Sequence, residues 1–242
     1  MSEILEQIDT CCKQLRLRRF TEHFPTITTA DPHQFLLQIL QKEVLQREQQ
    51  RIDRAIKSAG FYTYKDFSDF HFDDITLPSV LNAEQLRSLQ FIEDTQGLIL
   101  YGRVGSGKTH LAIALGIQAC KKGYKVGFWR TAALVNRLRS EQAAGTFEKF
   151  LQKLEKLDLL IFDEWGYVPL HQDGAKLIFQ VISMCYEKRS MIVTTNLEFS
   201  KWVNIFYDEA MTTAMIDRLI HHSHLLLFDR DSYRGKHSLM QL

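Results

Sequence analysis

A chain of 242 residues, 45% hydrophobic and 24% charged, is long enough to bury a substantial core, and its formal net charge of +1 excludes a bulk polycation. Its four cysteines, Cys11, Cys12, Cys120 and Cys185, make no Cys-x-x-Cys pair and have no histidine at metal-ligand spacing beside them, so they read as reduced, mostly buried thiols. No run of about 18 uncharged apolar residues occurs, and no basic segment followed by an apolar core opens the chain, so a cytoplasmic protein without membrane association is expected. From the N-terminus, Ile4, Leu5, Ile8, Cys11, Cys12 and Leu15 fall at helical spacing and predict an amphipathic helix over 4–17. Asp31-Pro32 reads as an N-cap followed by proline at the first helical position, opening a second helix through Phe35, Leu36, Ile39, Leu40 and Leu45 toward Gly60. Residues 1–60 are thus expected to form a small all-helical module. Basic residues cluster in it at Lys13, Arg16, Arg18 and Arg19 and recur at Arg47, Arg51, Arg54 and Lys57. They read either as a phosphate-contacting surface or as a solvated face with Glu43, Glu48 and Asp53 as intrahelical partners.

Residues 61–77 alternate aromatic and polar groups without a helical period and are expected to be a linker, folded against a nucleotide base or packed on a sheet. The apolar run Gly97-Leu98-Ile99-Leu100-Tyr101 then leads into Gly102-Arg103-Val104-Gly105-Ser106-Gly107-Lys108-Thr109, and a helical period begins at His110. Strand, glycine-rich turn and helix in that order make a cradle for phosphate: Gly102, Gly105 and Gly107 let successive N–H groups turn inward at a helix N-terminus. Val104, Ser106 and His110 complete its lining. Lys108 is expected to meet the β and γ phosphates, and the Thr109 hydroxyl to take one Mg²⁺ position. Beyond it apolar strands are predicted at 124–129, 157–162, 191–195 and 225–228, with helices near 134–138, 177–186 and 215–220. This alternation predicts an α/β domain over 78–242, a parallel sheet flanked by helices on both faces.

The strand 157–162 ends in Asp163-Glu164. A carboxylate at the tip of a buried strand beside the phosphate loop suits the second Mg²⁺ contact, so Asp163 is the metal-side acid. Glu164 can orient or deprotonate an attacking water, which favours hydrolysis over phosphate transfer to another acceptor. No Asn-Lys-x-Asp guanine reader occurs, which points to ATP. Asn196, at the end of the strand 191–195, has an amide that can hold the attacking water or touch the γ phosphate. Arg218, on the helix near 215–220, can reach a neighbouring subunit's γ phosphate. His221, His222 and His224 straddle a helix end and a strand start, which predicts divergent rings rather than a metal site.

Taken together, the phosphate loop, Leu-Leu-Ile-Phe-Asp-Glu, Ile-Val-Thr-Thr-Asn, Ile-Asp-Arg-Leu and Asp231-Ser232-Tyr233-Arg234 resemble AAA+ ATPases of the helicase-loader clade. Within it the chain looks most like IstB, the helper ATPases of insertion-sequence transposition, above all at 160–170; the replicative helicase loader DnaC is a close relative. The resemblance implies Lys108 and Thr109 as the Walker A pair, Asp163 and Glu164 as Walker B, Asn196 as sensor 1, Arg218 as a finger acting in trans, and Arg234 as a late phosphate contact. It implies ATP and Mg²⁺ as ligands and self-association into a ring or spiral. With 14 residues after Phe228, the C-terminal helical lid common in AAA+ proteins is not expected. The resemblance further implies double-stranded DNA and a transposase as partners, or, in the loader alternative, single strands and a hexameric helicase. DNA contacts are expected from Arg16, Arg18, Arg19, Arg47 and Arg51 on the helical module and from Arg130, Arg137, Arg139 and Lys149.

Overall fold

A computed structural model describes residues 3–17, 20–73, 75–167, 172–206 and 208–229. The chain divides into two compact units, residues 1–54 and 55–242.

In the first unit, α1 (Glu3–Gln14) is followed by a 3-10 turn, Phe20–Thr26, and by α2 (Pro32–Ala59), which runs on into the second unit. The expected start of α2 is present: Asp31 Oδ1 accepts the His33 amide at 2.9 Å, and Pro32 gives up no hydrogen bond at a position that has no intrahelical acceptor. Ile39 is fully buried, Cys12 and Ile27 nearly so, and Phe24 lies against the rings of Phe20 and Phe35. Glu43 is buried too, and its carboxylate accepts Arg47 Nε at 2.6 Å.

The second unit is built on a six-stranded sheet in the order β1-β6-β2-β5-β4-β3. Its strands are β1 (Ile75–Thr76), β2 (Gly97–Gly102), β3 (Val126–Arg130), β4 (Leu159–Trp165), β5 (Ser190–Thr195) and β6 (Ser223–Phe228). Pairings among β2 to β6 are parallel, as expected from near-continuous apolar strands. The exception is β1, which pairs antiparallel with β6 through Ile75↔Phe228 and Thr76↔Leu227. Segment 61–77 is therefore part of this unit: it supplies an edge strand, and Phe61, Phe67, Phe70 and Phe72 join the core.

The side-chain period of two splits each strand between two apolar layers. Leu98, Leu100, Leu159, Ile161 and Ile192 face a layer formed with α3 (Ala83–Ser88), α4 (Gln90–Glu93) and α5 (Lys108–Lys122). Ile99, Leu160, Phe162, Met191 and Val193 face the opposite layer, with α6 (Thr131–Ala143), α7 (Phe147–Glu155), α8 (Gln172–Cys185), α9 (Val203–Phe206) and α10 (Glu209–His221). Trp165 and Trp202 are fully buried there with ring centroids 5.4 Å apart. No helix among the described residues is long and apolar enough to cross a membrane.

Burial pushes the Cys185 thiol up to about 12, whereas Cys11 is exposed. Iodoacetamide at pH 8 is expected to label Cys11 in the native chain and to spare Cys120 and Cys185, read by peptide mass spectrometry; modification of Cys185 at the Cys11 rate would contradict this packing.

Candidate nucleotide-binding site

The strand order puts β5 between β2 and β4, so the loop after β2, the acids ending β4 and the asparagine after β5 meet at one sheet edge, beyond the carboxyl ends of the strands. Gly102 ends β2 where a side chain has no room, since a Cβ there would stand 2.3 Å from the Phe228 carbonyl oxygen. Gly107, at φ 99°, is the N-cap of α5, a left-handed angle that glycine adopts without steric cost. The loop thus reverses in front of the helix and leaves its N-terminus open. First-turn amides have no intrahelical acceptor, and with the helix dipole they favour an anion there. Lys108 Nζ donates to the carbonyls of Gly102 and Arg103, both at 2.7 Å, and lies 3.5 Å from Ser106 Oγ. The ammonium is held over the cradle by the loop's own backbone. In the first turn of α5, His110 is fixed by its Nε2 at 2.9 Å from the Asp66 carbonyl and by the ring of Phe70.

Asp163 is fully buried. One oxygen, Oδ1, accepts the Thr109 hydroxyl at 2.8 Å and the Thr194 hydroxyl at 2.6 Å. The other, Oδ2, is buried without a hydrogen-bonding partner, and so is Asn196 Oδ1. An unmet buried acceptor costs about 1–3 kcal/mol, more when charged, unless a group from outside the chain completes it. The oxygens of Thr109 and Asp163 are hard donors of the kind that suit Mg²⁺, and the anion cradle lies beside them, so the residues present fit a Mg²⁺–nucleotide ligand.

Glu164 follows on a β-bulge. Phe162 pairs with Val193 and Trp165 with Thr195, so β4 spends one residue more than β5 between these pairs, and Glu164 takes φ 58°. That left-handed angle costs a non-glycine residue about 1 kcal/mol, and it turns the carboxylate out of the alternation that buries Asp163. The Glu164 amide donates to Thr194 Oγ1 at 3.1 Å, and its Oε2 lies 3.6 Å from Arg130 Nε. Arg130 is the register partner of Asp163 on β3, and its guanidinium stands 4.4 Å from the centroid of the Tyr62 ring. Burial first, and then the Asp163 charge, push the Tyr62 phenol up.

Sequence reasoning missed Thr194. It carries the Asp163 carboxylate on one side and the Glu164 amide on the other, and its only signal was a hydroxyl that neighbouring Thr195 shares at the end of an apolar run. Arg218 lies apart from this constellation: its Nη1 donates to the Ala214 carbonyl at 2.9 Å and its guanidinium covers the Phe179 ring at 4.9 Å. Of the basic residues expected on a nucleic-acid surface, Arg47 binds Glu43 and the Arg16 carbonyl, Arg51 pairs with Glu48 at 2.7 Å, and Arg137 pairs with Glu141 at 2.5 Å. Arg139 is exposed on α6. Arg18, Arg19 and Arg234 lie outside the described residues.

A phosphate loop between a buried strand and a helix, faced by a buried acid on a parallel sheet, defines an α/β nucleotide-binding protein of the phosphate-loop class. Residues 10–241 match the family described as IstB-like ATP binding protein, and the chain belongs to that family. It is 33% identical to the protein named as the ATP-binding protein of insertion sequence IS232 in Bacillus thuringiensis subsp. berliner, over 98% of this chain and 97% of that one. Among solved structures it resembles the DnaC helicase loader, at 26% identity and a TM-score of 0.50, over 67% of this chain and 96% of that one. It shares its fold with the replication initiator DnaA bound to AMPPCP and single-stranded DNA, at 21% identity and a TM-score of 0.52, over 64% of this chain and 48% of that one.

Thr194→Val removes both hydroxyl contacts at nearly constant volume. It is expected to cost about 2 kcal/mol in urea unfolding, the range of hydrogen bonds to charged groups, with Thr194→Ser recovering most of the loss. An unchanged midpoint in Thr194→Val would show that the hydroxyl does not hold Asp163.

Proposed function

We propose that this protein is an ATP-hydrolysing regulator of DNA transposition, which assembles on duplex DNA, remodels the target site, and recruits and stimulates a transposase. The observation that carries the ATPase half is the pair of carboxylates at the end of β4, one buried with an unmet oxygen and one turned outward by a bulge. Membership of the insertion-sequence family supports the transposition half.

The geometry supports the roles at the phosphate loop and the end of β4, and the family resemblance those of the arginines. Lys108 exchanges the carbonyls of Gly102 and Arg103 for phosphate oxygens, and the cradle from Gly102 to Thr109, with Val104, Ser106 and His110, holds the phosphate chain. Thr109 and Asp163 are the residues that would hold Mg²⁺, which when bound neutralises charge on the β and γ phosphates. Glu164, free of the buried ladder, receives the proton of the attacking water or orients it, and Asn196 holds that water with its amide. Arg218, on α10, serves the neighbouring protomer of a ring or spiral as the transition-state cation once it leaves the Phe179 ring, and Arg234 is assigned to phosphate. DNA phosphates meet Arg16, Arg18, Arg19, Arg47 and Arg51, with Arg137 and Arg139 as a second surface, giving affinity without sequence readout. For Arg47, Arg51 and Arg137 that binding requires exchange of an intrahelical carboxylate for a phosphate.

A second reading, a replicative helicase loader, is favoured by the similarity to DnaC across nearly all of that chain. The two part on substrate. Light scattering with ATP is expected to report large particles on duplex DNA and a higher hydrolysis rate there than on single strands; the reverse preference, with binding to a hexameric helicase, would establish the loader.

Glu164→Gln is expected to keep ATP affinity and to lower turnover by about 10²–10⁴, while assembly on DNA persists. Arg218→Ala should leave nucleotide binding intact and lower turnover of the assembled protein by about 10³. Parental steady-state rates in either variant would remove that residue from catalysis.

A further inference from the structure

At the sheet edge opposite the phosphate loop, β5 and β6 begin, and the turn closing α8 meets the last turn of α10. Three histidines stand near this place, and the structure separates them. His224 turns away, with Nε2 at 2.9 Å from Gln96 Oε1. His221 and His222 instead stay together, ring centroids 4.4 Å apart and planes at 87°, beside the α8–β5 turn. His222 Nε2 lies 3.1 Å from Glu187 Oε1, and the Tyr186 hydroxyl lies 2.9 Å from His221 Nδ1 and orients that ring. One ligand atom each from Glu187, His221 and His222 lies within 4.8 Å of the other two. No other set of three such side chains does this among the described residues.

We propose that Glu187, His221 and His222 form a zinc(II) site separate from the nucleotide-binding site. Two imidazole nitrogens and one carboxylate oxygen are the donor set of open zinc sites, in which water takes the fourth position. Imidazole suits zinc and disfavours Mg²⁺, so the Mg²⁺ that accompanies nucleotide does not compete for this cluster. The distances suit the ion. Ligands about 2.1 Å from a tetrahedral ion stand roughly 3.4 Å from each other. The His222–Glu187 pair at 3.1 Å is already near that spacing, and a side-chain adjustment brings in the third donor. All three groups are exposed or half-buried, so entry of the ion requires no opening of the core. Glu187 itself sits at φ 56°, in the tight turn after α8, so its side chain leaves a short, fixed backbone segment. An ion held here ties the α8–β5 turn to the end of α10, the turn that follows Arg218.

The test is calorimetric titration of ZnCl₂ into the full-length chain without an affinity tag or nucleotide, in buffer with millimolar Mg²⁺. One zinc per chain is expected, with a dissociation constant in the micromolar range or tighter, weakened at least roughly tenfold by His221→Ala and by His222→Ala, and lost in the double variant. Saturating zinc is also expected to raise the melting temperature of the parent by roughly 5 °C and to leave that of the double variant unchanged. Where an alanine variant fails to fold, His222→Gln and Glu187→Gln carry the same comparison with similar shapes. Absence of zinc uptake overturns the proposal, and so does uptake undiminished by these substitutions, since the zinc would then lie on other groups such as the exposed Cys11.

Discussion

A carboxylate removed from water is the constraint around which this site is organised. Asp163 has no solvent exposure, and two hydroxyls satisfy only one of its oxygens. Burying a charge without full compensation is costly, and a cation completing the coordination would offset that cost. The other features of the site follow from keeping that carboxylate in place. Thr109 reaches it from the first turn of α5, which fixes the phosphate loop relative to β4. Thr194 reaches it from β5, which is possible only because β5 runs between β2 and β4. One buried oxygen therefore ties together three elements that are far apart in the sequence.

The bulge at the end of β4 solves a second problem with the same strand. Strict alternation would send neighbouring acids to opposite faces of a sheet that is apolar on both. By inserting one residue and giving Glu164 a left-handed backbone, the chain buries the first acid and presents the second at the edge. The local strain is modest and falls beside Thr194, whose hydroxyl accepts the Glu164 amide. Arg130 and Tyr62 lie on the outer side of Glu164, so its carboxylate has a cation within reach on that face.

Much of this could be read from the sequence because the informative signals are local. The glycine pattern of the phosphate loop, the apolar runs of β2, β4 and β5, and the acids and asparagine at their ends each identify themselves within a few residues. Parallel pairing followed from strands too apolar to have a wet face. What escaped depends on distant partners. β1 is two residues long and exists only because Ile75 and Thr76 find Phe228 and Leu227. Thr194 looks like any β-branched strand residue until strand order places Asp163 next to it. The bulge has no signature in Asp-Glu-Trp. The convergence of His221 and His222 with Glu187 depends on how α8 and α10 end together, which periodicity does not describe. The ion pairs of Arg47 and Arg51, in contrast, follow directly from acids one helical turn earlier.

The most direct test concerns the unmet oxygen of Asp163. Affinity for a non-hydrolysable ATP analogue is measured by fluorescence titration in excess Mg²⁺ and in EDTA, for the parent chain and for Asp163→Asn. The amide oxygen still accepts from Thr109 and Thr194, so the fold is retained while the anionic oxygen is lost. The parent is expected to bind at least tenfold more tightly with Mg²⁺ than without, and Asp163→Asn to lose most of that difference. An equal gain from Mg²⁺ in both chains would contradict the assignment of Asp163 as the metal-side acid.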